Sequence, residues 1–148
     1  MSGEKKMPNI VLVSGGFDPI HSGHIKLISE ASNYGEVVVL LNSDEWLREK
    51  KGKAFLPMNE RKLIMQNLKN VIDVLEFDDR DKSCIDGIKK AINKYKNYKI
   101  KFANGGDRNN TNTLELKFCD DNNIESLWSI GGNNKSNSSS WILKKWTE

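Results

Sequence analysis

Five short apolar runs, each followed by at least one segment of helical spacing, constrain this chain more than any other feature. Ile10-Val11-Leu12-Val13 ends at Ser14-Gly15-Gly16. Val37-Val38-Val39-Leu40-Leu41, Val71 to Phe77, Ile100-Lys101-Phe102-Ala103 and Leu127-Trp128-Ser129-Ile130 follow in turn. Runs without polar alternation read as strands covered on both faces. Between the first two, Ile25, Leu27, Ile28 and Ala31 recur at helical spacing from Ser22 to Tyr34, and Gly35 stands where a helix C-cap belongs. Asn42 or Ser43 can cap a short helix through Arg48, and Asn59 one to about Leu68, with 50–57 between them as a basic loop. Ser83 can cap a helix to Tyr95, a weaker helix covers about Leu114 to Asp121, and Ser138 opens one that runs to Trp146. Strand–helix alternation of this kind predicts a doubly wound, parallel, five-stranded α/β sheet. Such sheets bind ligands beyond the carboxyl ends of their strands, at a topological switch point. The Gly-rich or basic loops 14–24, 104–108 and 131–140 all fall at strand ends, which points to a phosphate-bearing ligand.

A chain of 148 residues, 37% of them hydrophobic, can build one ordinary core. With neither repeat nor linker in view, the reading is one domain over residues 9–148 behind a flexible tail, 1–8. Gly (11) and Pro (3) are too few for a fibrous or disordered class. No apolar run is long enough for a bilayer, and Met1 to Lys6 have no hydrophobic segment behind them, so a cytoplasmic protein without a signal peptide or membrane contact is expected. Cys84 and Cys119 lack CxxC spacing; buried free thiols are expected, with a single disulfide as the alternative. The 23 basic and 20 acidic residues are intermixed, giving +3 overall, without the Lys/Arg stripe of a nucleic-acid binder.

The chemistry is concentrated in Gly15-Gly16-Phe17-Asp18-Pro19-Ile20-His21-Ser22-Gly23-His24, between the first strand and the first helix. Glycines let backbone amides approach a ligand, and the N-terminus of a helix starting near Ser22 favours anions. Neither a Walker loop nor a dinucleotide GxGxxG is present. The chain's two histidines both lie here, three residues apart, so both imidazoles can reach one ligand, and Gly23 between them leaves room for a phosphate. Ordinary loop histidines, or a metal pair with Asp18 as third ligand, are the alternatives.

This run resembles the HxGH signature of the cytidylyltransferase-like nucleotidyltransferase superfamily, which includes glycerol-3-phosphate cytidylyltransferases and heptose 1-phosphate adenylyltransferases. The likeness extends through Ser43-Asp44-Glu45-Trp46, Lys50-Lys51-Gly52-Lys53 and Asn59-Glu60-Arg61-Lys62. It continues with Asn104-Gly105-Gly106-Asp107, similar to the family's GGD or GDD turn, and with Ser138-Ser139-Ser140 where an S-[ST]-[ST] segment opens the last helix. In the loop 131–137 the Arg or acidic residue usual in the family is absent, and Lys135 is the charge available in its place.

The resemblance implies a Rossmann-like nucleotidyltransferase fold and transfer of a nucleoside monophosphate from a triphosphate to a small phosphorylated acceptor. Catalytic roles would fall to His21 and His24, and to Lys50 or Lys53. Gly15, Gly16, Phe17, Asp18, Gly23, Arg61, Gly106, Asp107 and Ser138, Ser139 and Ser140 would line the nucleotide. Arg61, a cation near a helix start, would have its cost offset by phosphate, or by an acid such as Glu60 or Asp44. Asp107 would bind the ribose or help hold Mg²⁺, which triphosphate chemistry implies without fixing its ligands. The stretch from Ser43 to Lys62 leans toward CTP and glycerol 3-phosphate, the Gly105-Gly106-Asp107 turn toward ATP and a sugar 1-phosphate. A homodimer is a further expectation from the resemblance. Trp128, Trp141 and Trp146 are expected against the sheet or a partner subunit.

Overall fold

A computed structural model describes residues 7–105, 113–130 and 139–147. Five parallel strands form one sheet in the order β3-β2-β1-β4-β5: β1 (Asn9–Gly15), β2 (Glu36–Leu41), β3 (Val71–Glu76), β4 (Lys99–Gly105) and β5 (Glu125–Ile130). All four pairings are parallel, and β1 is flanked by β2 and β4. The winding therefore reverses beside β1. The crevice beyond its carboxyl end is the switch point of the sheet.

Period-two alternation, invisible in the apolar runs, becomes visible as two cores. Val11, Val13, Val37, Val39, Leu41 and Val74 face one way and pack with Ile28 and Ala31 of helix α1 (Ser22–Ala31) and Met65 of α3 (Met58–Gln66). Ile10, Leu12, Val38, Leu40 and Phe102 face the other way, against Ile88 and Ala91 of α4 (Ile85–Lys94) and Cys119 of α5 (Thr113–Asp121). Each aliphatic side chain so buried contributes about 1.5–3 kcal/mol. Helices of 8–10 residues such as α1, α3 and α2 (Asp44–Lys51) are shorter than the ~12–15 needed to persist alone, so this packing holds them. A last helix, α6, spans Ser139–Thr147.

Several boundaries differ from the sequence reading. Helix α1 ends at Ala31 with Ser32 as C-cap, and Gly35 serves a different purpose: a Cβ there would lie 2.7 Å from the carbonyl oxygen of Asn9. Ser43 does cap α2, its Oγ accepting the Trp46 N–H at 3.1 Å. That helix runs on through Lys50 and Lys51 to a left-handed Gly52, so these lysines sit on a last turn, where cations are favoured, and not in a loop. Pro57, not Asn59, is the N-cap of α3, without a side-chain bond. Cys84 takes the N-cap position of α4, while Ser83 Oγ accepts the Ile85 N–H at 3.3 Å. Pro8, read as tail, already accepts a hydrogen bond from Lys99 N at 2.9 Å. Trp128 and Trp146 are exposed, 44% and 77%, rather than packed on the sheet. Cys84 and Cys119 are both buried thiols, neither in a disulfide. Among the described residues, no helix is long and apolar enough to cross a membrane.

Candidate active site

The site is built where β1 stops. Gly15 is its last residue, and its carbonyl accepts from Asn42 N at 2.9 Å, tying the end of β1 to the end of β2. Both glycines stand close against neighbouring side chains. A Cβ on Gly16 would lie 2.7 Å from Leu47 Cδ2, and one on Gly15 would lie 3.2 Å from the ring of Phe17. Phe17 has φ 51, left-handed and uncommon for a bulky residue. That turn buries its ring and sets it edge-on to the imidazole of His24, centroids 4.8 Å apart.

The chain then enters α1 through a capping box made of histidines. His21 is the N-cap, and its Nδ1 accepts the Gly23 N–H at 3.0 Å. His24, at N3, reaches back so that its Nδ1 accepts the His21 N–H at 3.2 Å. The rings stack at 3.9 Å and 27°. An Nδ1 that accepts must carry its lone pair, so each neutral imidazole bears its proton on Nε2. Each ring thus carries an N–H at Nε2 close to a helix N-terminus beside the switch point, donor chemistry of the kind that suits anionic oxygen.

Other expected residues are placed differently. Arg61 is 1% exposed and spends its guanidinium on the protein: Nε donates to Leu56 O at 2.9 Å, Nη1 to Gly16 O at 3.0 Å and Asn42 O at 2.8 Å, and Nη2 to Asp44 Oδ1 at 2.6 Å. The acid that offsets its charge is Asp44, where a nucleotide phosphate was one of the two partners expected. Asp18 is likewise turned inward at 2% exposure, its carboxylate accepting backbone N–H groups of Phe55 and Leu56. Its carboxylate is therefore committed to the protein's own backbone.

Lys50 holds its ammonium 4.6 Å above the ring of Trp46, whose edge lies 3.4 Å from a Cβ placed on Gly16. Lys53 is exposed in the segment joining α2 to α3. Lys51 donates to the carbonyl of Asp18, a contact not singled out in the sequence. Asp79 was also missed. Buried at the end of β3, it accepts from Asn42 Nδ2 at 3.0 Å, Ser43 N at 2.8 Å and Ser43 Oγ at 2.7 Å, and so fixes the turn into α2. No local motif marks it; an aspartate in an Asp78-Asp79-Arg80-Asp81 run reads as surface. Gly106, Asp107 and Ser138 lie outside the described residues, while Ser139 and Ser140 open α6. Among the described residues, no group of three or more His, Cys, Asp or Glu is placed to hold a metal ion such as Mg²⁺.

This geometry can be set beside known proteins. The profile of the cytidylyltransferase-like family matches residues 12–134, from within β1 past the end of β5. The chain belongs to the cytidylyltransferase-like family. Among other members, it is 38% identical over 66 residues to the glycerol-3-phosphate cytidylyltransferase of Bacillus subtilis, covering 44% of this chain and 51% of that enzyme. To the phosphopantetheine adenylyltransferase of Pyrococcus furiosus it is 34% identical over 98 residues, covering 65% of this chain and 48% of that enzyme. The matches thus span about half the length of each of these two relatives. The fold is shared with a lipopolysaccharide core biosynthesis protein from Thermoplasma volcanium, at a TM-score of 0.62 and 23% identity over 82% of this chain and 93% of that one. The histidine capping box and the β1–α1 loop of this family member lie within the matched region.

Proposed function

We propose that this chain is a nucleotidyltransferase that moves a nucleoside monophosphate, with CTP favoured as donor, to a small phosphorylated polyol or sugar such as glycerol 3-phosphate. The observation that carries this reading is the stacked His21–His24 pair, Nδ1 atoms bound to backbone, at the N-terminus of α1 beside the sheet's switch point. Family membership and the likeness to the Bacillus enzyme support it.

The chemistry suits such a site. An acceptor phosphate is already an anion at neutral pH and needs no general base. Its oxygen forms a bond to the α-phosphorus, the bond from that phosphorus to the α–β bridging oxygen breaks, and the electron pair leaves with pyrophosphate. Charge on the phosphoryl oxygens is what the protein has to meet, by positioning and by preorganised donors. The Nε2–H groups of His21 and His24 would donate to those oxygens. Lys50 or Lys53, on the side of α2, would neutralise the triphosphate or the acceptor phosphate. Mg²⁺ would arrive with the triphosphate and supply charge neutralisation there.

A second reading, adenylyl transfer from ATP, is favoured by the longer match, over 65% of this chain, to the Pyrococcus adenylyltransferase. Pyrophosphate release with each of the four nucleoside triphosphates against a panel of phosphorylated acceptors tests both. Release with CTP and glycerol 3-phosphate is expected. Release with ATP alone would transfer the assignment to the second reading. No release with any pair would leave a nucleotide-binding module without turnover, and would overturn both.

A further inference from the structure

Asp18 presents a problem that its neighbours solve. A carboxylate at 2% exposure is costly to bury unless it is fully hydrogen-bonded. Its partners come from far along the chain. Phe55 N donates to Oδ2 at 2.6 Å and Leu56 N to Oδ1 at 2.7 Å, across 37 and 38 residues. Lys51 adds a third tie. Its Nζ donates to the Asp18 backbone carbonyl and lies 3.7 Å from Oδ2, with 23% of the side chain exposed. Short backbone N–H bonds to an ionised oxygen are among the stronger hydrogen bonds in proteins.

The two ends of this latch are the two phosphate-facing elements of the reading above. Asp18 stands three residues before His21 in the β1–α1 loop. Phe55 and Leu56 belong to the connection between Gly52, which ends α2, and Pro57, which begins α3. That connection carries Lys53 and continues directly from Lys50. We infer that Asp18, with Lys51, is a positioning residue: it locks the lysine-bearing segment 50–56 to the imidazole loop, so that the donors from α1 and the ammonium groups from α2 keep a fixed spacing. Its functional half rests on the nucleotidyltransferase reading. Its structural half does not.

Two variants test it. Asp18→Asn puts an amide N–H₂ against a backbone donor. Lys51→Gln removes the third tie from the rim, where folding is little affected. Chymotrypsin cleavage after Phe55, the bond whose two residues the carboxylate holds, reads the latch directly, since cleavage of a transiently opened segment follows the population of the open form. Cleavage about tenfold faster than wild type or more is expected in Asp18→Asn, with a smaller rise in Lys51→Gln, while far-UV circular dichroism stays native. In steady-state pyrophosphate release, KM for the acceptor should rise by a larger factor than kcat falls, because spacing is disturbed and the imidazoles are not. Wild-type cleavage rates in a folded Asp18→Asn would overturn the inference. Should that variant fail to fold, wild-type cleavage in Lys51→Gln would overturn it. A wild-type protein without pyrophosphate release would instead fail the nucleotidyltransferase reading and leave the cleavage result standing.

Discussion

His24 Nδ1 accepts the backbone N–H of His21 at 3.2 Å, and His21 Nδ1 accepts that of Gly23 at 3.0 Å, so one nitrogen of each ring is committed to the fold. The Nδ1 atoms close the first turn of α1, and the proton of each neutral ring lies on Nε2. Structure and proposed function can therefore be separated by substitutions that imitate one nitrogen and not the other.

His21→Ala removes an N-cap and a donor together, whereas Asn is among the best N-cap residues and lacks a group at the Nε2 position. His21→Ala should lose about 0.5–2 kcal/mol of stability in urea titration. His21→Asn should stay near wild type in stability, and both variants should lose turnover. Equal destabilisation in the two variants would contradict the capping role.

Arg61 is the main polar tie beneath the site. Arg61→Met would leave the carbonyl oxygens of Gly16, Asn42 and Leu56 and the Asp44 carboxylate without their donor. Leaving a buried acceptor without its donor costs about 1–3 kcal/mol, a large fraction of the stability of a chain this size. A clear fall in the urea midpoint is expected. An unchanged midpoint with lost nucleotide affinity would mean that Arg61 serves the ligand instead.

Away from the site, Asp73 of β3 ties to the end of α4. Burial raises its carboxyl, but hydrogen bonds from Lys94 and Tyr95 and the Lys94 charge outweigh this and hold it below the usual carboxylate range. Tyr95 is pushed well above the usual phenol range, by burial first and then by Asp73. A lowered acid stabilises the fold above its unfolded value, about 3.9, and that contribution is lost as pH falls through the folded one. A raised phenol stabilises below about 10 and is lost as pH rises beyond. Thermal unfolding of wild type against Asp73→Asn and Tyr95→Phe should show constant differences from about pH 5 to 9. The Asp73→Asn difference should shrink on the acid side and the Tyr95→Phe difference on the alkaline side. Differences that do not change with pH would contradict the pairing.

The sheet and the histidine pair were legible in the sequence because both are local signals. Apolar runs such as 37–41 name their own strand, and two histidines flanking Ser22-Gly23 name their own loop. What could not be read is the buried polar frame. Arg61 meets Gly16 across 45 residues, Asp18 meets Leu56 across 38, and Asp79 meets Asn42 across 37. Nothing near these residues in the chain distinguishes a buried charge from a solvated one. Helix ends failed for a related reason: Gly35 reads as a cap, yet it is small because Asn9 passes over it.

The most direct measurement is kcat for pyrophosphate release in His24→Asn and His24→Gln. Asn places an acceptor where Nδ1 was and offers no donor at Nε2, while Gln can place an N–H near Nε2. Turnover in His24→Asn is expected to fall about 10²–10³-fold, with His24→Gln retaining distinctly more. Near-wild-type turnover in a folded His24→Asn would contradict a role for the Nε2 donor.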